Sequence, residues 1–398
     1  MDILLGILAI IVVLGIAYLM SNNRKLINYR GIGIMLLFQV FITWFMFETG
    51  IGAAIITAIS AMFNKLIEFA TEGINFVLGG FVIEEDGGGV FFFNVLLLII
   101  FFATLLSVLT YLRILPTIIK YIGGMISWVT GLPRIESFNA VNSIFFGQSE
   151  AIIAVRSQFH YIDNNRLFIV CASAMSSVSA SIVGAYILML PPEYILVALP
   201  LNMFSALIVA SIMTPVKVPK EEDQVDIKDV TEDKSVFEAM GNGALEGGKI
   251  ALIVAAMLIA FIAALELVNF LVQLIFSGLT LQQILGYILA PIAILMGIPM
   301  NEVIEAGAVM GTKIVTNEFV AMLEFQPLMD QMSEKTVGIV TVFLTSFANF
   351  SSIGIIAGAV KGIDNEKASV VSGFGMKLLL NAILASILSA TFAGLFIR

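Results

Sequence analysis

Apolar residues occur along this chain in long continuous runs separated by short polar segments. A helix that crosses a bilayer needs about 20 predominantly apolar residues. Eight runs approach or exceed this length, at residues 3–20, 32–52, 91–112, 166–188, 194–213, 248–276, 336–360 and 371–396. The pattern predicts an all-α integral membrane protein with eight transmembrane helices.

Two further stretches, 133–158 and 299–324, have the length of a span but carry Gly, Asn, Ser, Thr, Gln and Glu. Irregular backbone at membrane depth is tolerated only where protein or a water-filled cavity satisfies its polar groups. Each stretch follows an amphipathic segment, 116–132 or 279–298, of the kind that lies either along a membrane interface or across the helix bundle. We therefore expect two re-entrant helical hairpins.

The two halves of the chain share three features in the same order. These are a Gly-x-Pro turn at 131–133 and 297–299, a polar pair ending in Glu150 or Glu318, and a Ser-Ser-aliphatic string at 176–178 and 351–353 that is expected to break a later span into a discontinuous helix. The order predicts an internal repeat. The resulting divisions are 1–90 (N-terminal scaffold spans and an interfacial helix), 91–213 (first repeat), 214–247 (cytoplasmic loop) and 248–398 (second repeat).

Basic residues fix the expected orientation. Lys and Arg collect in alternate loops, including Arg24, Lys25 and Arg30 after the first run, whereas the loop with Glu84–Asp86 has none. Basic loops face the cytoplasm, so both termini are expected on the extracytoplasmic side. The two halves then enter the membrane from opposite sides. Inverted repeats of this kind place a substrate site at the midplane of secondary transporters.

Composition restricts the function classes. Of 398 residues, 59% are hydrophobic and 12% are charged, against roughly 25% charged in soluble domains. A single cysteine, Cys171, and a single histidine, His160, argue against a disulfide framework or a His/Cys metal site. The net charge of -9 comes with no basic patch, so no nucleic-acid partner is expected.

Glu150 and Glu318 are the strongest candidates for function. A carboxylate at the bilayer centre costs roughly 2.5–3.5 kcal/mol on insertion scales, and both lie at equivalent positions of the two repeats. The structural alternative is that each sits at a hairpin tip near water or pairs with a local lysine such as Lys313. Ser149, Thr316 or Asn317 are candidate caps for the second arm of each hairpin.

The polar residues near the two carboxylates indicate the kind of ligand. Carboxylates, the Asn349 amide, hydroxyls and the Phe347 ring suit a neutral polyhydroxylated molecule with a flat ring. A phosphate would favour arginines. An intramembrane enzyme acting on lipid-linked substrates is the alternative from another class, but the spans contain no aspartate. A passive channel or a non-transporting receptor is a third hypothesis.

Three segments carry a family resemblance: 147–151 (GQSEA), 311–321 (GTKIVTNEFVA) and 347–352 (FANFSS). In this order the chain resembles the concentrative nucleoside transporter family, specifically its bacterial NupC-type permeases, over nearly its whole length. The resemblance implies an ion-coupled nucleoside importer in the bacterial cytoplasmic membrane that works by alternating access. It also implies a homotrimer and no cofactor.

The resemblance also implies roles for individual residues. The positions that match nucleobase contacts are Gln148, Ser149, Glu150 and Ile182. Those that match ribose contacts are Glu318, Asn349 and Ser352, with Phe347 lining the site. The resemblance does not decide whether purine or pyrimidine nucleosides are preferred.

The coupling ion is where this chain departs from the family pattern. Sodium-coupled members have an asparagine at the position of Ser143 and a small aliphatic residue at that of Phe146, whereas Ser177 and Val178 match the remaining positions. Because a hard cation needs several well-placed oxygens, we expect proton coupling, with Glu150 or Glu318 as the titrating group. Sodium coupling with both carboxylates serving only the substrate is the alternative.

Overall fold

The computed structural model describes residues 2–79, 90–219, 233–276 and 278–397, and every regular element within these ranges is helical. The N-terminal part forms three helices: α1 (Asp2–Leu19), α2 (Tyr29–Glu48) and α3 (Gly50–Leu78). The acidic loop with Glu84–Asp86, which was used to predict orientation, lies outside the described residues.

The first half of the remaining chain begins with a π-helical turn, Phe92–Leu96, that leads into a long helix. Its helices are α4 (Leu98–Tyr111), α5 (Ile114–Thr130), α6 (Arg134–Phe145), α7 (Gln148–Ile153), α8 (Asn164–Met175), α9 (Ala180–Ile187) and α10 (Pro192–Met213). Helices α6 and α7 are the two arms of a hairpin, and α8 and α9 are one apolar segment broken in the middle.

The second half repeats this order of elements, with one additional helix, α17 (Asn365–Gly373), before the last one. Its helices are α11 (Val236–Ile275), α12 (Leu281–Leu295), α13 (Val303–Val315), α14 (Glu318–Met329), α15 (Glu334–Leu344), α16 (Phe350–Lys361), α17 (Asn365–Gly373) and α18 (Gly375–Gly394). Here α13 and α14 form the hairpin, and α15 and α16 are the broken pair. The shared order is long helix, short amphipathic helix, hairpin, broken helix and closing helix.

Seven helical segments in the described ranges are long and apolar enough to cross a membrane. They include α3, which the sequence pattern assigned to the interface, and leave out the short α1 and the broken pair α15–α16. Length and apolarity cannot separate a span from a long interfacial helix, since both need an apolar face. The total of eight spans therefore stays a prediction.

The predicted loop 214–247 is too long at its C-terminal end. Helix α11 begins at Val236, where the Ser235 hydroxyl accepts a hydrogen bond from the Glu238 N–H at 3.1 Å. Gly243 and Gly247 lie against the backbone of α4, and a Cβ at Gly243 would be 2.8 Å from the Thr104 Cα. This close packing lets a polar stretch continue the helix, which the hydrophobic pattern alone does not reveal. Residues 220–232 of this loop lie outside the described residues.

Two other boundaries differ from the sequence prediction. The run 32–52 is divided because Thr49 has an extended backbone and its hydroxyl caps α3 by accepting from the Gly52 N–H at 3.0 Å. The second hairpin continues past residue 324 to Met329, since α14 runs without a break across the polar Glu324. The first hairpin, α6 and α7, falls within the predicted 133–158.

Helices α10 and α18 are almost wholly buried and support the broken helices from behind. The Asn202 amide of α10 donates to the Thr345 carbonyl, at the break between α15 and α16. A buried ion pair joins α6 to α8, with Nε and Nη2 of Arg166 at 2.6 and 3.0 Å from the two carboxylate oxygens of Glu136. The hairpins and broken helices are therefore held on a packed frame.

Candidate functional site

The two broken helices meet at their breaks. The Phe347 N–H, between α15 and α16, donates to the Ser177 carbonyl, between α8 and α9, at 3.1 Å. Ser179 and Asn349 cap the second half-helix of each pair. When these caps are superposed, Ser177 and Phe347 are counterparts, so the hydrogen bond joins equivalent points of the two repeats.

This geometry corrects one detail of the repeat read from the sequence. The Ser-Ser string at 176–178 ends α8, whereas the string at 351–353 lies inside the first turn of α16. The two strings therefore belong to different sides of the break. The true counterpart of Asn349 is Ser179, because both occupy the N-cap position; a serine and an asparagine serve this role equally well, which is why the sequence match missed it.

The tip of the first hairpin brings a carboxylate and an amide to the centre. The Glu150 carboxylate folds back over the start of α7, so that a Cβ at Gly147 would lie 2.4 Å from its Oε2. The Gln148 side chain is buried, and its Oε1 has no hydrogen-bond partner. Gly147 itself occupies the cap position of α7, in place of the predicted Ser149.

The tip of the second hairpin holds Glu318 in a network. The Asn317 side chain caps α14 by accepting from the Val320 N–H at 3.0 Å. Glu318 is 5% exposed and accepts hydrogen bonds from the Tyr186 hydroxyl at 3.0 Å and the Asn349 Nδ2 at 3.1 Å. The carboxylate is thereby linked to α9 and to the start of α16.

Sequence reasoning did not identify Tyr186 as a site residue. It lies within the apolar half-helix α9, and its ring packs edge-on against Phe319 with centroids 5.1 Å apart. Its buried hydroxyl needs a partner, and that partner, Glu318, is 132 positions away along the chain. The one sequence signal for Tyr186 was a hydroxyl group within an otherwise apolar run.

A cavity of about 830 Å³ lies between these tips and breaks. All of the residues that the resemblance marked for substrate lie on its wall: Gln148, Ser149, Glu150, Ile182, Glu318, Phe347, Asn349 and Ser352. The structure thus brings together side chains that were singled out one by one along the sequence.

The residues marked for ion coupling are divided. Phe146 and the two carboxylates line the cavity, whereas Ser143, Ser177 and Val178 are buried outside its wall. The Ser143 hydroxyl donates to the Asn139 carbonyl at 2.7 Å, and that of Ser177 donates to the Ser173 carbonyl at 2.9 Å. Both hydroxyl protons are therefore used by carbonyls four residues earlier in the chain.

Helix α11 contributes a second set of polar residues that the sequence did not mark. Asn242, Glu246 and Lys249 line the cavity together with Arg156, which follows the first hairpin. The first two lie in the segment predicted as loop, and their pattern gave no signal of a site. The cavity therefore reaches from the centre of the molecule to charged side chains on a long helix.

Lys313 does not form the local pair with Glu318 that the structural alternative required. Its ammonium group donates to the Phe343 carbonyl and the Ser346 hydroxyl, both at 2.6 Å. Glu318 takes its hydrogen bonds from Tyr186 and Asn349 instead. Both side chains are buried.

A polar cavity bounded by two hairpins and two broken helices, within an apolar helical protein, defines a membrane transporter. Three family models match the chain in succession: Na+ dependent nucleoside transporter N-terminus over residues 8–81, Nucleoside recognition over 92–193, and Na+ dependent nucleoside transporter C-terminus over 194–394. The chain belongs to the concentrative nucleoside transporter family. It is a multi-pass membrane protein and a nucleoside transporter, not an enzyme.

Curated relatives and solved structures agree with this assignment. The chain is 38% identical to the purine nucleoside transport protein NupG of Bacillus subtilis over 99% of both chains. It is 33% identical to the nucleoside permease NupC of Helicobacter pylori, over 99% of this chain and 98% of that one.

The fold is similar to that of CNTnw in an inward-facing substrate-bound state, with a TM-score of 0.94, 32% identity and coverage of 100% and 98%. A variant of CNTnw in an outward-facing state matches with a TM-score of 0.93, 31% identity and the same coverage.

Proposed function

We propose that this transporter is an ion-coupled nucleoside importer that binds its substrate between the two hairpins and the two broken helices. The observation that carries the proposal is the central cavity. Its wall brings together two carboxylates, an amide oxygen without a hydrogen-bond partner and an aromatic ring, which come from separate elements of the fold. A nucleoside has the matching chemistry, with a flat base at one end and vicinal hydroxyls at the other.

The base is proposed to lie against the first hairpin. Gln148 offers a buried amide oxygen without a partner, and an amide both donates and accepts, as base edges require. Ser149 and Glu150 add a hydroxyl and a carboxylate at the same tip, and Ile182 adds an apolar surface from α9.

The ribose is proposed to lie against the second hairpin and α16. Glu318 and Asn349 are already hydrogen-bonded to each other, so they present a fixed pair of groups to vicinal hydroxyls. Ser352 is held by the same asparagine, since its hydroxyl donates to the Asn349 Oδ1 at 3.0 Å. Phe347 closes this side of the cavity.

Alternating access is proposed as the transport mechanism. Support comes from the similarity to CNTnw, whose structures are described as inward-facing and substrate-bound or as outward-facing. A central site between two repeats can be exposed to each side in turn by movement of one unit against the other.

A proton is the proposed coupling ion, with Glu150 or Glu318 as the group that carries it. Ser143 and Phe146 stand where sodium-coupled members have an asparagine and a small aliphatic residue, and the Phe146 side chain lies on the cavity wall. Sodium is the second candidate, because the matching family models carry sodium dependence in their description.

We expect the cellular location and the oligomeric state that the resemblance to this family implies. The protein is expected in a bacterial cytoplasmic membrane as a homotrimer, with both termini extracytoplasmic, with lipid as its surroundings and with no nucleic-acid partner. Because the relative NupG is named for purine nucleosides, purine nucleosides should be tested together with uridine.

Uptake into proteoliposomes tests cargo and coupling together. Labelled uridine, adenosine and inosine would be offered with a proton gradient and with a sodium gradient, imposed separately. We expect saturable, concentrative uptake with the proton gradient alone. Uptake driven only by the sodium gradient would identify sodium as the coupling ion. No uptake with either gradient would contradict the proposal that the protein is an ion-coupled nucleoside importer. Equal flux without a gradient would indicate a passive channel.

A further inference from the structure

Tyr186 is a buried polar residue that contacts the proposed substrate site from behind. Its side chain is 0% exposed, and its hydroxyl donates to Oε1 of Glu318 at 3.0 Å. Glu318 lines the cavity, whereas Tyr186 does not. The tyrosine therefore acts on the cavity through the carboxylate that it contacts.

The packing of α9 determines where Tyr186 lies. Gly184 faces α4, where a Cβ would be 2.3 Å from the ring of Phe102. Two residues further along, Tyr186 lies on nearly the opposite side of the helix, because each residue turns an α-helix by about 100°. One turn earlier on the same side, Ile182 lines the cavity. Tyr186 thus stands one helical turn beyond the cavity wall.

The ring of Tyr186 is held by other aromatic rings. It packs edge-on against Phe319, with the centroids 5.1 Å apart and the planes at 73°. Phe319 in turn packs edge-on against Phe91, with the centroids 6.3 Å apart. Edge-on contacts of this kind are favourable beyond the area that they bury. They fix the position of the hydroxyl oxygen, so the donor is in place before a substrate binds.

Tyr186 and Asn349 hold opposite oxygens of the same carboxylate. The tyrosine donates to Oε1 of Glu318, and the Asn349 amide donates to Oε2 at 3.1 Å. The last torsion of a glutamate side chain is otherwise broad, so one donor on each oxygen fixes the plane of the carboxylate. Because a carboxylate has about four acceptor positions, both oxygens keep capacity for further donors such as ribose hydroxyls.

The second repeat has an aliphatic residue at the position equivalent to Tyr186. When the caps of α9 and α16 are superposed, the counterpart of Tyr186 is Ile356, which is also buried but has no group that can donate. Glu150, the counterpart of Glu318, cannot receive this bond from Ile356. The tyrosine therefore serves the carboxylate proposed for ribose and has no equivalent for the one proposed for the base.

We propose that Tyr186 is a positioning residue for ribose recognition, which orients the Glu318 carboxylate so that both of its oxygens can accept hydrogen bonds from the vicinal hydroxyls. This inference rests on the proposed ribose role of Glu318. It deepens that role, because the residue that orients the carboxylate belongs to the first repeat and the carboxylate itself belongs to the second.

Equilibrium binding to the purified protein tests this inference. Uridine and inosine would each be compared with its 2′,3′-dideoxy analogue, which lacks both ribose hydroxyls. Tyr186→Phe removes the donor and keeps the ring, and Tyr194→Phe is the matched control. The Tyr194 hydroxyl also donates to a glutamate, Glu334, at 3.2 Å, and its ring also packs edge-on against a phenylalanine. Neither Tyr194 nor Glu334 lines the cavity.

We expect Tyr186→Phe to raise the Kd of the nucleoside that binds more tightly about tenfold, as coupled neighbours do. The Kd of its dideoxy analogue should stay nearly unchanged, because that analogue makes no hydrogen bond that depends on the carboxylate plane. Tyr194→Phe should keep both Kd values of the wild type. Glu318→Ala removes the group that Tyr186 orients, so adding Tyr186→Phe to it should change neither Kd further.

Three binding results would overturn the inference: an unchanged preference for the hydroxylated nucleoside in Tyr186→Phe, an equal loss of affinity for nucleoside and analogue, or a further loss in the double variant. Thermal unfolding in detergent shows whether each variant is folded, and failure of Tyr186→Phe to fold would make its hydroxyl a structural group and also overturn the inference. Equal binding of nucleoside and analogue by the wild type, or an unchanged preference in Glu318→Ala, would instead overturn the ribose role of Glu318.

Discussion

At the scale of single residues, the sequence revealed the charges of the site but not their partners. Glu150 and Glu318 are conspicuous because carboxylates are rare in apolar segments. Tyr186, which donates to Glu318, belongs to an apolar run and looks like packing. Lys313 was noted as a partner for Glu318, but its hydrogen bonds go to α15 and α18. Partners distant along the chain are set by the fold.

Gly147 gives a prediction at this scale. A Cβ there would lie 2.4 Å from Oε2 of Glu150, so Gly147→Ala must displace a mobile carboxylate rather than backbone. We expect thermal stability in detergent to stay within about 0.5 kcal/mol of the wild type, as for mild substitutions. Nucleoside uptake should fall by up to about 100-fold, as small misplacements of a functional group can cause.

The control for Gly147→Ala is Gly124→Ala in α5, where a Cβ would meet no atom within 4 Å. This variant should keep wild-type uptake and stability. Normal uptake by Gly147→Ala would show that the folded-back position of Glu150 is unimportant for transport.

At the scale of elements, hydrophobic runs predicted helices well and their interruptions poorly. The runs 166–188 and 336–360 were expected to break at their Ser-Ser strings. The first break, Ser176–Ser179, contains its string, whereas the second, Thr345–Asn349, lies before its string, because caps end and restart the helices there. Serine is also a common packing residue in membrane helices, so its capping role is not visible from the sequence. Helix α11 likewise extends into a polar stretch because glycines let it pack on α4.

The ion pair between Glu136 and Arg166 gives a prediction at this scale. It joins α6, the first arm of a hairpin, to α8, and both side chains are buried. Removing one charge leaves the other buried, which costs about 3–5 kcal/mol. We expect Glu136→Gln to lower the melting temperature of the purified protein strongly, as measured by thermal unfolding in detergent.

The exposed pair between Lys65 and Glu68 on α3 is the matched control. The sequence predicts that α3 lies at the membrane interface, where such a pair faces water and contributes about 0–1 kcal/mol. Glu68→Gln should therefore leave the melting temperature nearly unchanged. Equal shifts for Glu136→Gln and Glu68→Gln would mean that the buried pair does not hold the hairpin in place.

At the scale of the whole molecule, the two halves share the same order of elements and meet at the hydrogen bond between Phe347 and Ser177. The sequence predicted a repeat from short matching strings, and the matching order of hairpins and broken helices agrees with it. Orientation in the membrane is a separate matter, since it depends on which loops lie on each side.

Cysteine labelling tests that orientation. The native thiol, Cys171, is buried, so background labelling by a membrane-impermeant maleimide should be low. We expect Lys234→Cys, before α11, to react only in inside-out vesicles. Asn301→Cys, before α13, should react only in right-side-out vesicles. Reaction of both from the same side would show that the segment between them does not cross the membrane as predicted. Reaction of each from the opposite side to the expected one would place both termini in the cytoplasm.

The sequence by itself determined that this protein is an all-α membrane protein, because apolar runs of about 20 residues can cross a bilayer only as helices that satisfy their own backbone groups. Two carboxylates within interrupted apolar segments then favoured a transporter over the alternatives. Its motifs further indicated the family. Only the tertiary structure decided which groups share the central cavity, since Gln148 and Glu318 come from different hairpins. It also decided where Lys313 places its charge and which tyrosine holds Glu318. A hydrophobic pattern specifies the surface that each helix buries, whereas hydrogen bonds between distant segments exist only after those helices have packed.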